Sequence, residues 1–205
     1  MKVNKNLPNY LCITRIVLIP FVLLFLLDNP VVNGIPVYIR MLVSGAVFGI
    51  AMLTDMADGK IARKYNLVSD FGKFLDPIAD KLLVVSVLMG FISVGLASSV
   101  AVILIVAREF LISGLRMQAA AKGEVIAASI WGKIKTGTQG VVMSCSYIYL
   151  IVMYWIKDTS VTMMSAPHGG ISFLPVQIAV WVLAVIKVIS VIPYFVNGAK
   201  FIKMK

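Results

Sequence analysis

The stretch DMADGKIARKYNLVSDFGKFLDPIAD, residues 55–80, sets Asp55, Asp58, Asp76 and Asp80 among two glycines and an arginine, between two long apolar runs. Such a density of carboxylates is foreign to its surroundings. The 205-residue chain is 60% hydrophobic and 14% charged, whereas an average globular domain is about half apolar and about a quarter charged. With a mean hydropathy of +0.96, the apolar runs on either side read as membrane-spanning helices. Working outward, apolar segments fall at 10–27, 37–54, 73–95, 98–119, 135–156 and 174–196. Gaps rich in Pro, Gly and Asn, such as DNPVVNGIP and SAPHGGISFLP, separate them.

The expectation is therefore an all-α integral membrane bundle of six transmembrane helices, a single domain over 1–205, opened by a short interfacial segment, MKVNKNLPNY. Lys2 and Lys5 ahead of LCITRIVLIPFVLLFLL imitate a secretory signal. No small-residue cleavage site follows, so this segment reads as a retained first helix. Cys12 and Cys145 lie in apolar runs without metal-ligand spacing and read as small core residues.

The net charge of +10 does not point to nucleic acid, because the basic residues sit at the ends of apolar runs rather than in a polar lobe. Lys2, Lys5, Lys60, Arg63, Lys64, Lys73, Arg116, Lys122, Lys133, Lys135, Lys200, Lys203 and Lys205 fall on one side. The other side holds little beyond Arg40 and Lys157, beside Asp28 and Asp158. By the positive-inside rule both termini and the aspartate stretch are cytoplasmic, in a multi-pass protein of the plasma membrane whose basic ends attract anionic lipid.

Asp55 and Asp58 are spaced i, i+3, and Asp76 and Asp80 i, i+4, so each pair shares one helical face. Carboxylates brought together in a partly dehydrated cleft repel unless cations neutralise them. Hard oxygen donors of this kind suit Mg²⁺ or Mn²⁺, and shared carboxylates suit two such ions and a phosphoryl-type displacement. Gly59 and Gly72 keep side chains away from an approaching ligand, and Arg63 offers a planar fork for phosphate oxygens. Ionisable groups within spans cost about 2.5–3.5 kcal/mol at the centre on insertion scales, so mere solvation of helix ends is a poor account of the whole pattern.

Asp55, Asp58, Gly59, Ala62, Arg63, Gly72, Asp76 and Asp80 match position for position the signature D-x2-D-G-x2-A-R-x8-G-x3-D-x3-D. On these eight residues the chain resembles the CDP-alcohol phosphatidyltransferase family. The resemblance implies a six-helix homodimeric membrane enzyme with two divalent cations, Mg²⁺ or Mn²⁺, held by the four aspartates. It further implies Asp80 as general base on the acceptor hydroxyl, and a pocket for the CDP of CDP-diacylglycerol lined by Asp58, Gly59, Arg63 and Gly72.

The signature does not select the acceptor alcohol. Arg108 and Arg116, about two helical turns apart, together with Lys133 and Lys135, form a basic group suited to an acceptor carrying its own phosphate. LDPIADKLL, the Arg108–Glu109 pair, GKIKTGTQ and the opening LPNYLCITRI with Asn9, Thr14 and Arg15 resemble the branch of the family that uses sn-glycerol 3-phosphate. Sibling enzymes acting on inositol phosphate or serine, and more distantly an ion-coupled transporter, are the alternatives. Basic residues at these positions also serve as inner-leaflet anchors, Arg108 also suits an internal pairing with Glu109 or a neighbouring helix, and Lys187, midway along the sixth segment, is open to interior pairing or to snorkelling.

Overall fold

The computed structural model describes the backbone of residues 7–65, 70–121, 130–157 and 173–191, and their side chains except those of 7–8, 55–65, 70–77, 80, 116–121, 130–136 and 157. The described residues form six helices: α1 (Leu7–Leu26), α2 (Val37–Tyr65), α3 (Asp70–Ser93), α4 (Ser99–Ala121), α5 (Ile130–Lys157) and α6 (Leu174–Ile189). No strand occurs among the described residues. Asn9–Leu26, Val37–Thr54 and Gly137–Ile156 are long and apolar enough to cross a membrane, and Lys81–Ser93 and Leu174–Ile189 are shorter apolar helices.

The six helices fall where six apolar segments were expected, but three begin or end five or more residues elsewhere, α6 closing at Ile189 rather than 196. α2 runs on to Tyr65 instead of stopping at 54. The added turns, rich in Ala, Lys, Arg and Met, favour helix without being apolar, so a hydropathy count stops where the helix does not. α5 likewise starts at Ile130 rather than 135.

The helices divide into two compact units. The first comprises Met1–Val94 and Ser144–Ser172. Within it α1 and α2 pack antiparallel, because the turn between them is short and tightly bonded. Asn29 Nδ2 donates to the carbonyls of Leu24 (2.8 Å) and Leu27 (3.1 Å), satisfying acceptors that the end of α1 leaves open. Arg40 Nη2 donates to Leu27 O at 2.6 Å, and its Nη1 meets Asp28 Oδ1 at 2.7 Å. Further along the pair, Ser44 Oγ donates to Val22 O at 2.9 Å.

Ser44 Oγ also lies 3.0 Å from the Tyr147 hydroxyl, on the second half of α5. The Tyr147 ring packs against Phe48 of α2 and Phe91 of α3, each with centroids 5.6 Å apart. Gly45 makes room for it, since a Cβ there would sit 3.2 Å from the ring. α3 reaches α1 in the same way at Gly90, where a Cβ would lie 2.5 Å from Leu26 Cδ2.

The second unit comprises Gly95–Met143 and Phe173–Lys205. Gly95, with φ 77°, takes the left-handed conformation at its start, and its carbonyl accepts from Gln177 Nε2 at 3.0 Å. α4 packs on α6, and Val102 and Ile105 of the one and Val180 and Leu183 of the other are buried. The opposite face of α6, with Ile178, Trp181, Val182 and Val185, is exposed and apolar, the surface a lipid-facing helix presents. Cys12 is buried as expected, whereas Cys145 is exposed and corrects that expectation. On a helix apolar all round, sequence carries no mark separating the packed side from the outward one.

Candidate active site

The described backbone places Asp55, Asp58, Gly59 and Arg63 on the last turns of α2, and Gly72, Asp76 and Asp80 on the first turns of α3. Their side chains lie outside the described residues. Helical rise still fixes their levels. Asp58 precedes the end of α2 at Tyr65 by about 10 Å, and Asp76 follows the start of α3 at Asp70 by about 9 Å. Asp55 and Asp80 each lie about 15 Å from those same helix ends.

A second register agrees with the first. The bonds joining Val22 to Ser44 and Leu27 to Arg40 put α1 and α2 level where their residue numbers sum to about 66. Gly90 beside Leu23 and Leu26 puts α3 level with α1 at an offset of about 66. All four aspartates then fall within about three turns of one another along the axis, at the end of the unit away from the Asp28–Arg40 pair. Four carboxylates are hard donors of formal charge −4, a chemistry that would suit divalent cations rather than a softer group. Among the described residues alone no group of metal-ligating side chains occurs.

The second unit holds a polar cluster inside apolar helices. Arg108 of α4 is 8% exposed; its Nε and Nη2 donate to Ser190 Oγ, each at 3.2 Å, and its Nη1 meets Glu109 Oε1 at 3.1 Å. Lys187 of α6 donates to both Glu109 Oε1 and Gln139 Oε1. Ser190 Oγ in turn donates to the Lys187 carbonyl at 2.5 Å. Lys187, open in the sequence to interior pairing or snorkelling, takes the first: it is the centre of a network joining α4, α5 and α6.

Arg108, expected to meet an acceptor phosphate, is paired within this network. The side chains of Arg116 on α4 and of Lys133 and Lys135 on α5 lie outside the described residues. Gln139 and Ser190 escaped sequence reasoning because an isolated amide or hydroxyl in a span carries no spacing signal.

The family model for CDP-alcohol phosphatidyltransferases matches residues 5–192, and the chain belongs to that family. It is 36% identical over 203 residues to the CDP-diacylglycerol–glycerol-3-phosphate 3-phosphatidyltransferase of Bacillus subtilis, covering 97% of each chain. It is 38% identical over 204 residues to the protein of the same name from Rickettsia bellii, covering 98% of this chain and 99% of the relative. A probable phosphatidylglycerophosphate synthase of Mycobacterium tuberculosis is 40% identical over 136 residues, covering 66% of this chain and 63% of the relative.

Proposed function

We propose that the protein transfers the phosphatidyl group of CDP-diacylglycerol to sn-glycerol 3-phosphate, giving phosphatidylglycerol phosphate and CMP for phospholipid biosynthesis. The observation that carries this reading is the complete eight-residue signature spread over matched levels of α2 and α3 in a chain whose relatives bear that enzyme's name. All six helices span the plasma membrane of the cell, the catalytic end faces the cytoplasm, and 1–205 acts as one domain that pairs as a homodimer.

In this reading Asp55, Asp58, Asp76 and Asp80 hold two Mg²⁺ or Mn²⁺ ions. The ions, when bound, neutralise the diphosphate and make its β-phosphorus a better electrophile. Asp58, Gly59, Arg63 and Gly72 line the CDP pocket, the glycines admitting backbone contact and Arg63 supplying paired donors. Asp80 accepts the proton of the acceptor's 1-hydroxyl as its oxygen attacks the phosphorus in line. The bond to CMP breaks, CMP leaves, and the lipid product keeps its acyl chains in the bilayer.

Arg108, Arg116, Lys133 and Lys135 hold the acceptor's phosphate, contributing orientation rather than bond making. The Lys187 network supports that role: among the described residues it sets two cations against one carboxylate, and Gln139 Nε2 has no partner.

The test is release of CMP from CDP-diacylglycerol by detergent-purified protein, with glycerol 3-phosphate, inositol phosphate or serine, with and without EDTA. Turnover with glycerol 3-phosphate that EDTA abolishes is expected, and Asp80→Asn should lower it by about 10²–10⁴-fold. Turnover with another acceptor only would reassign the substrate, and near-normal turnover of Asp80→Asn would remove it as base.

A further inference from the structure

Arg15 is completely buried, at 0% exposure, in the middle of α1. A guanidinium cannot shed its proton at any working pH, so an apolar span holds one only against negative charge or a dense set of acceptors. The chain has nine acidic residues from which such charge can come. Asp28 is bonded to Arg40 at the other end of the α1–α2 pair, and Glu109 is engaged with Arg108 and Lys187 in the other unit. Asp70, the first residue of α3, maps to a level beyond the start of α1.

The four signature aspartates lie on α2 and α3, the helices that pack against α1. By the register of α1 on its neighbours, Arg15 is level with residue 51 of α2, about one turn from Asp55. On α3 it is level with residue 81, about one residue from Asp80. Helical side chains lean toward the N-terminus of their own helix, and along α1 that is the direction of Asp55, Asp58 and Asp76.

We infer that Arg15 is a positioning residue of the aspartate site: a resident countercharge, level with Asp55 and Asp80, for the four carboxylates when no divalent cation is bound. This rests on the metal-site reading above and adds to it a fifth, cationic member supplied by a different helix. Four carboxylates in a cleft repel one another strongly. One permanent positive charge at their edge lets the helices close before metal arrives, and leaves net negative charge to attract it.

The test is thermal unfolding of the full-length protein in nanodiscs, with EDTA and across a Mg²⁺ titration, for wild type, Arg15→Gln, Arg15→Lys and, as a remote control, Arg40→Gln. Metal that binds the folded state raises the midpoint. Arg15→Gln should show a Mg²⁺-induced rise at least about twice that of wild type, because EDTA then leaves the carboxylates with no cation at all. Arg15→Lys should stay near wild type, and Arg40→Gln should lose stability equally with and without metal. A wild-type rise matched by an equal rise in Arg15→Gln overturns the proposal alone. No rise in wild type sinks the metal reading and this one together. Should Arg15→Gln not accumulate, Arg15→Gln/Asp80→Asn, which removes one charge of each sign, decides: recovered folding supports the pairing, and failure to recover rejects it.

Discussion

Arg40 and Lys187 are each 1% exposed, one in either unit, and both are cations buried among apolar helices. Arg40 meets a single carboxylate, Asp28, and gives its other fork nitrogen to a backbone carbonyl. Among the described residues the charge there is balanced one to one beside a turn. Lys187 instead shares Glu109 with Arg108 and leans on the neutral oxygen of Gln139. Among the described residues that network carries an excess of positive charge. Desolvating an ion costs several kcal/mol in either place. The difference, among the described residues, is that one cation meets one carboxylate at the first site, whereas two cations share one carboxylate at the second.

Three substitutions press on that difference. Asp28→Asn strands the Arg40 guanidinium in an apolar site and should cost about 3–5 kcal/mol of stability, measured by thermal unfolding in nanodiscs. CMP release per folded molecule should stay as in wild type; a large fall in turnover would deny that the pair is purely structural. Lys187→Met leaves Arg108 and Glu109 as a balanced pair, so the KM for glycerol 3-phosphate should rise about tenfold, near 1.4 kcal/mol. The KM for CDP-diacylglycerol should hold, and equal changes in both constants would break the assignment of this network to the acceptor. Tyr147→Phe removes one hydroxyl from the first unit while Ser44 keeps its bond to Val22 O. The expected loss is about 0.5–1.5 kcal/mol, with both KM values unmoved.

Much of the site was legible because its information is local. Four aspartates at helical spacing, with glycines and an arginine between them, name a family before any tertiary contact is known. The helices were legible too, since length and hydropathy set them, although α2 outran its apolar stretch by the length of the motif it carries. Residues whose meaning depends on a distant partner were not legible. Lys187 lies 78 residues from Glu109 and 48 from Gln139, and no spacing rule links helices so far apart in the chain. Cys145 was misread as core because an apolar helix does not declare which side faces its neighbours.

Sequence by itself determined that this chain is a helical membrane protein with a carboxylate-rich end, since hydropathy and i, i+3 and i, i+4 spacing are properties of a segment alone. Tertiary structure decided how helices rotate and slide against one another: that Arg40 closes on Asp28, that Lys187 joins three helices, and that Arg15 stands level with Asp80. Those outcomes depend on small residues such as Gly45 and Gly90 letting particular faces approach, and close packing selects a register that no single helix encodes.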